Sequence, residues 1–337
     1  MMKQLLGIHH VTAITSDAKR NYEFFTKVLS LRLVKKTVNQ DDIFTYHLFF
    51  ADDKGNAGTD ITFFDFKGIG KARFGTNEIS RTGFRVPNDE ALEYYKARFK
   101  YYDVKFEDTI TLFGRKMVFF YDFDGARYAL VSDQNNEGVK SGEPWLKGPV
   151  PNEYAITGLG PAWFTVNDPK RMEKALVNVL RMRKGESEGI YTTYLMGEGG
   201  NGAMVIVEVQ EHGDIARQGY GAVHHVAFRT TDKDHLMSWV PEFNHALAPH
   251  SGFVERFYFK SLYTRLYPNI LFELATDGPG FIDDEESYEV LGEKLALPPH
   301  LRHKRETIEK VIIPLDTTLY RDNKKEGWDF LNGTKND

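Results

Sequence analysis

The sequence predicts an α+β fold of four βαβββ modules, paired into two cupped mixed sheets with helices outside. Two observations predict it. A strand-like run, an amphipathic helix and further strand-like runs recur four times along 337 residues, and such self-similarity sets the architecture before any local feature does. The phrase Gly7-Ile8-His9-His10-Val11-Thr12 also returns as Ala222-Val223-His224-His225-Val226-Ala227. One such module cannot cover both faces of its own sheet, so modules must pair.

The first module (about 5–67) opens with a strand over Leu6–Thr15. Ser16-Asp17 can cap a helix carrying Tyr22, Phe24, Phe25, Val28 and Leu29. Strands follow at Leu31–Val38, Phe44–Phe50 and Asp60–Phe66, with Gly55 and Gly58 marking the turn before the last. The second module (about 78–134) has a strand at Ile79–Val86 and a helix opened by Pro87-Asn88-Asp89. Its further strands are Val104–Asp108, Lys116–Tyr121 and Ala126–Ser132. Residues 135–153, rich in Gly, Pro and charge, read as a linker between an N-terminal half (1–134) and a C-terminal half (154–282). The third module (about 154–212) starts at Ala155–Val166. Asp168-Pro169 then combines a capping carboxylate with Pro at the first helical position, and strands lie around Gly189–Met196 and Ala203–Val209. The fourth (about 220–282) has Ala222–Arg229, a helix after Asp232, and strands at Gly252–Phe259, Tyr263–Leu266 and Asn269–Ala275. Residues 283–337 break the pattern and read as a partly helical tail laid over a pocket, its last ten or so residues mobile.

Composition narrows the function. A net charge of −5 offers no basic field for nucleic acid. No apolar run is long enough to cross a membrane, and no secretory leader is read at the N-terminus. The chain has no Cys, which excludes disulfides, thiolate catalysis and thiolate ligands. A cytoplasmic enzyme is expected, and a homo-oligomer is compatible with the sequence.

Alternation along strands sorts the repeated His pairs. Val11 and Ala13, or Val226 and Phe228, form the uniformly apolar face that suits packing on a helix. His10 and Thr12, or His225 and Arg229, share the polar face that suits a pocket. The second His of each pair is therefore the ligand candidate, and His9 and His224 point away. Ile270-Leu271-Phe272-Glu273-Leu274-Ala275-Thr276 adds Glu273 on the face of Leu271 and Ala275. A single strand His or Glu is usually a hydrogen-bonded or solvated residue. Two His pairs at equivalent positions of a repeat, with a carboxylate in the same unit, form the donor set of a non-haem Fe(II) site. The second and third modules offer no such His. Glu208 is read at the position of Glu273 but stands alone, so one site is expected, and modules one and four must pair to build it. The remaining histidines (His47, His212, His235, His245, His250, His300 and His303) are assigned solvated or core roles. Gly197–Gly200 lacks a following Lys-Ser/Thr and reads as a hairpin turn.

These residues resemble the vicinal oxygen chelate superfamily, which includes glyoxalase I, bleomycin-resistance proteins and extradiol dioxygenases. The paired His-His phrases, and Arg256-Phe257-Tyr258-Phe259-Lys260-Ser261-Leu262-Tyr263 ahead of Leu271-Phe272-Glu273, are most similar to bacterial ring-cleaving dioxygenases acting on hydroquinones. The likeness runs to about Phe281. It implies Fe(II) held by His10, His225 and Glu273, with Zn, Mn or Ni able to enter the same site in a purified sample. It implies a small aromatic diol and O2 as partners. It also implies catalytic or substrate-contacting roles for His9, His224, Arg256, Tyr263 and Thr12, with His224 or His9 taking the phenol proton. A glyoxalase-type lyase using a non-redox metal, and a metal-free binding protein, are the alternatives.

Overall fold

The computed structural model describes residues 4–283, 285–318, 328–331 and 334–335. Module one comprises β1 (Ile8–Ile14), α1 (Ala18–Glu23, continued by a π-helical turn over Phe24–Val28), β2 (Arg32–Val38), β3 (Tyr46–Ala51) and β4 (Asp60–Phe64). Module two comprises β5 (Glu78–Val86), α2 (Asp89–Tyr101), β6 (Ile110–Leu112), β7 (Arg115–Tyr121) and β8 (Arg127–Ser132). Module three has β9 (Gly158–Val166), α3 (Pro169–Glu173, again with a π-helical continuation), β10 (Arg183–Glu188), β11 (Tyr191–Leu195) and β12 (Met204–Val209). Module four has β13 (Val223–Thr230), α4 (Lys233–Met237), α5 (Val240–His245), β14 (Val254–Glu255), β15 (Lys260–Tyr267) and β16 (Ile270–Thr276).

The same local chemistry opens the first helix of every module. Asp17, Asn88, Asp168 and Asp232 each accept hydrogen bonds from backbone N–H groups of the first turn, which would otherwise have no partner. Each helix carries the chain from the first strand of its module toward strands that return beside it. The first and last strands of a module pair in parallel: β1 with β4, β5 with β8, β9 with β12, β13 with β16. Parallel neighbours need such a crossover.

Two eight-stranded sheets result, in the orders β14-β15-β16-β13-β1-β4-β3-β2 and β10-β11-β12-β9-β5-β8-β7-β6. Modules one and four join through antiparallel β1 and β13, modules two and three through β5 and β9. The convex faces and the helices share one core. Phe25, on the π-helical turn, packs on Phe50 and Phe63 of one sheet and on Phe84 and Tyr128 of the other. Phe164 meets Phe272 between the sheets. Val11, Ala13, Val226, Phe228, Phe272 and Leu274 all lie in this core, as their alternation requires.

The structure departs from the sequence reading in four places. Arg183–Glu188 is a strand, although every residue of it is exposed, so it carries no apolar alternation to read. The strand expected at Val104–Asp108 is an irregular segment with a single bridge at Phe106, and the edge strand is Ile110–Leu112. The strand expected at Gly252–Phe259 shrinks to Val254–Glu255, because Phe257 takes φ +69 and turns the chain; the long strand is Lys260–Tyr267. Among the described residues, none of the tail lines the cavity beside the three strands β1, β13 and β16. The tail lies along β2, where Lys36 Nζ donates to Leu315 O and Thr317 Oγ1 and buried Lys35 pairs with Asp283 and Glu286. Of the last ten residues, expected to be mobile, 332–333 and 336–337 fall outside the described residues.

Candidate metal centre

His10 on β1, His225 on β13 and Glu273 on β16 are neighbours because their three strands are adjacent in the sheet. All three side chains are buried. His10 Nε2 lies 3.3 Å from His225 Nε2 and 3.2 Å from Glu273 Oε2, and His225 Nε2 lies 3.0 Å from the same oxygen. The other carboxylate oxygen accepts the Ser261 hydroxyl at 2.5 Å, which fixes the carboxylate plane. Burial alone favours the neutral acid; positive charge on the His10 and His225 rings outweighs it and holds Glu273 well below the usual carboxylate range, and with neutral rings that charge is left for a cation to balance.

Strict alternation points His9 and His224 away from this triangle; the structure brings them back beside it. In the β1–β13 ladder Ile8 pairs with Phe228 and His10 with Ala227, leaving His9 as an extra residue. Thr12 pairs with His225 and Ala13 with Val223, leaving His224 extra on the partner strand. Two β-bulges thus interrupt the alternation at equivalent points of the repeat, and bulges re-aim side chains. His9 Nδ1 comes within 2.9 Å of His10 Nδ1, and His224 Nδ1 within 2.8 Å of His225 Nδ1.

The hydrogen bonds then assign protons. His9 Nε2 is 2.9 Å from the Thr276 carbonyl, which can only accept. Burial, reinforced by His10, lowers the His9 pKa to about 3, so the ring is neutral. Its Nδ1 is therefore an acceptor, and His10 donates from Nδ1 and keeps a lone pair on Nε2. Read in the same direction by the equivalence of the two bulges, His225 donates from Nδ1 to His224, and the His225 Nε2 lone pair faces inward. Glu273 Oε2 is buried with no hydrogen-bond donor of good geometry. Three lone-pair atoms thus converge with no donor among the described residues to satisfy them. A divalent cation satisfies all three. Ligand atoms at about 2.1 Å and near right angles around one ion stand about 3.0 Å apart, close to the observed edges. The residues fit a metal held on one face, with braces of the kind that usually orient metal-bound imidazoles.

A cavity of about 380 Å³ opens beside the triad, within the range of small-molecule sites. Phe49, Phe64, Phe66, Tyr258, Phe259 and Tyr263 give it aromatic walls, with Asp41 and Asp42 at the exposed rim. Tyr263 pairs with Glu273 across the strands, and its hydroxyl accepts from Arg256 Nε at 3.2 Å. Burial, then the Glu273 charge, keeps that phenol protonated. Arg256 also grips Asp41 with both terminal nitrogens.

Residues 7–130 match the Glyoxalase/Bleomycin resistance protein/Dioxygenase superfamily. "Putative ring-cleaving dioxygenase MhqA" of Bacillus subtilis (strain 168) is 42% identical over 314 residues, covering 92% of this chain and 98% of that protein. The chain belongs to this superfamily. "Chlorohydroquinone/hydroquinone 1,2-dioxygenase" of Sphingobium indicum is 30% identical over 303 residues, 88% of this chain and 92% of the relative. A crystal structure of a Bacillus subtilis "putative dioxygenase" superposes with a TM-score of 0.86 at 33% identity, covering 94% and 99% of the two chains. Glyoxalase I from Zea mays, at 16% identity and TM-score 0.57 over 80% of this chain and 92% of that one, shares the fold alone. With dioxygenases among the relatives along nearly its whole length, the chain is an oxidoreductase enzyme.

Three assignments change in this superfamily member. Thr12, expected to touch substrate, is fully buried and absent from the cavity wall; its hydroxyl bonds Thr62. His47, assigned to core or solvent, lines the cavity. A lone strand His gave no signal, although it shares the inward face of β3 with Phe49. Glu208 is also not the counterpart of Glu273. The ladder aligns His10 opposite Ala227 with Arg81 opposite Trp163, and Ala227 opposite Glu273 with Trp163 opposite Ile206. Ile206 holds the equivalent position, and Glu208 lies two residues beyond.

Proposed function

We propose that the chain is an Fe(II)-dependent, extradiol-type ring-cleaving dioxygenase acting on a hydroquinone or related aromatic diol, in cytoplasmic detoxification or breakdown of aromatic compounds. The carrying observation is the buried triangle of His10, His225 and Glu273 lone pairs opening onto a cavity walled by aromatic rings. The relatives whose names specify ring cleavage support the substrate class.

Fe(II) held by these three residues supplies the one-electron and O2 chemistry that side chains lack. In the net reaction both atoms of O2 enter the diol, the bond between a hydroxyl-bearing carbon and its neighbour breaks, and the ring itself is the reductant. The aromatic walls orient the ring plane. The side chains near the triad act as hydrogen-bond donors. With Nδ1 accepting from His225, His224 carries its hydrogen on Nε2, which makes no protein hydrogen bond among the described residues. Burial, then His225, lowers its pKa to about 3. His224 therefore donates to anionic substrate oxygen instead of taking the phenol proton, and His9 is turned to Thr276 and braces His10. Tyr263, its oxygen already accepting from Arg256, has its hydroxyl hydrogen free to donate. Fixed donors of this kind stabilise the oxygen charge that develops as the ring opens.

Oxygen uptake by protein loaded anaerobically with Fe(II) tests the reading. Uptake with methylhydroquinone, lost in Glu273→Ala, is expected. Uptake with catechol alone would move the substrate class, and none with either diol despite bound metal would point to non-redox lyase chemistry.

A further inference from the structure

The cavity holds one imidazole that neither belongs to the metal triad nor braces it. His47 stands on β3, two strands from β1 and so about 9.5 Å across the sheet. Its ring lies against Phe49 and Phe64, with centroids at 4.0 and 4.4 Å. His47 Nε2 is 2.9 Å from Thr62 Oγ1, which is 2.8 Å from Thr12 Oγ1.

This short chain has a direction. Thr12 is fully buried, and among the described residues its hydroxyl has one partner, Thr62 Oγ1. A buried hydroxyl hydrogen without an acceptor is costly, so Thr12 donates to Thr62. Thr62 must then turn its own hydrogen toward His47 Nε2. A neutral imidazole that accepts at Nε2 carries its hydrogen on Nδ1. That nitrogen makes no protein hydrogen bond among the described residues, and the ring lines the cavity. The wall away from the triad therefore presents one N–H donor whose tautomer is set from behind.

We propose that His47 reads the second oxygen of a para-diol, donating its Nδ1–H to the hydroxyl remote from the metal triad, with Thr62 and Thr12 as positioning residues that hold the tautomer. The inference rests on the dioxygenase reading above and names the feature that sets its substrate. In an ortho-diol the oxygens sit on adjacent carbons, so with one at the triad the other lies beside it and His47 has no partner. In a para-diol the oxygens lie at opposite ends of the ring, and one ligand spans triad and His47. As electrons leave the ring the far oxygen takes on carbonyl character, which a prepositioned donor stabilises.

Hydroquinone and 4-methylphenol differ only in the para substituent, hydroxyl against methyl. Their equilibrium affinities for metal-loaded protein are measured anaerobically by calorimetry, with circular dichroism and metal content confirming each variant's integrity. The wild type should prefer hydroquinone by roughly tenfold, the scale of one hydrogen bond. His47→Phe should erase that preference while leaving 4-methylphenol affinity within about twofold. His47→Asn, whose amide N–H falls near the Nδ1 position, should restore part of it, and Thr62→Val should weaken it with the imidazole still in place. Equal loss for both ligands in His47→Phe, or an intact preference, would overturn the inference. A wild type that binds neither ligand would instead overturn the dioxygenase reading, and this inference with it.

Discussion

The converging lone pairs make a prediction about stability that does not depend on turnover. His10 Nε2, His225 Nε2 and Glu273 Oε2 meet within 3.0–3.3 Å in a buried site, and the folded chain alone positions them. A cation that binds there binds the folded state only and stabilises it by about 2.7 kcal/mol at one hundred times its Kd. Unfolding entropy of about 2.1 cal/mol/K per residue gives roughly 0.7 kcal/mol/K for a chain of this length. The expected rise in Tm is therefore about 4 °C, and about 6 °C at one thousand times Kd. Glu273→Ala removes one corner and the negative charge, so its Tm should not move with metal. Without metal the variant should differ little from the wild type, because loss of packing is offset by removal of a buried charge. Differential scanning calorimetry of chelator-treated protein, titrated with Zn(II) in air or Fe(II) without oxygen, measures both. A wild-type Tm insensitive to metal, or an equal shift in Glu273→Ala, would refute the assignment of these residues as the ligands.

The two bracing histidines should separate by assay. His9→Phe removes the acceptor for His10 Nδ1–H and should weaken metal binding 10–100-fold, with turnover largely recovered at saturating metal. His224→Phe removes both the brace on His225 and a cavity donor, so saturating metal should leave turnover down by about 10²-fold or more; oxygen-electrode rates at two metal concentrations distinguish them. Away from the site, Asp122 is half-buried beside the buried Asp124, and its pKa is raised to about 7 by desolvation first and that neighbour second. The folded state thus holds this proton more tightly than the unfolded chain, and stability falls as pH rises from about 4 through about 7. Asp122→Asn keeps acceptance from Asp124 N and Ala126 N at one oxygen and should gain on the wild type by about 2–4 kcal/mol between pH 4 and pH 8. Urea denaturation at the two pH values checks it.

What could be read from the sequence follows from which forces act locally. His10, His225 and Glu273 sit in strands whose other residues alternate cleanly, so facing could be worked out residue by residue. The pairing of modules one and four follows from the need to bring those candidate ligands together. His9 and His224 could not be placed this way, because a β-bulge exists only once two strands pair, and neither strand alone records that the other has one residue fewer at that point. The placing of Thr12 behind Thr62 and of His47 on the cavity wall is hidden from the sequence for a related reason. Their link runs through Thr62 on β4, which lies between their strands, and spacing along the chain holds no trace of it.

The second sheet shows what keeps the first one open. Modules two and three repeat the same pairing, yet Trp163 takes the place of Ala227, Ile206 that of Glu273, and Arg81 that of His10, its guanidinium 3.7 Å over the Phe119 ring. Trp163 and Ile206 join Met117, Val131 and Met204 in a packed apolar cluster that fills this cup. In the first cup Ala227 and Ala275 lie beside the triad, buried in a cluster with Phe49, Phe259 and Phe281, and Phe49 and Phe259 also wall the cavity. A fold with two equivalent concavities thus uses one as core and one as site, and a handful of side-chain volumes on the inner strands decides which. Enlarging Ala227 to Trp should therefore drive Phe49 and Phe259, which pack with it and wall the cavity, into that space even with every candidate ligand retained: diol affinity should be lost while the chain remains folded. Loss of the fold instead would mean that the first cup cannot be packed as the second is, and calorimetry together with circular dichroism on Ala227→Trp separates the two outcomes.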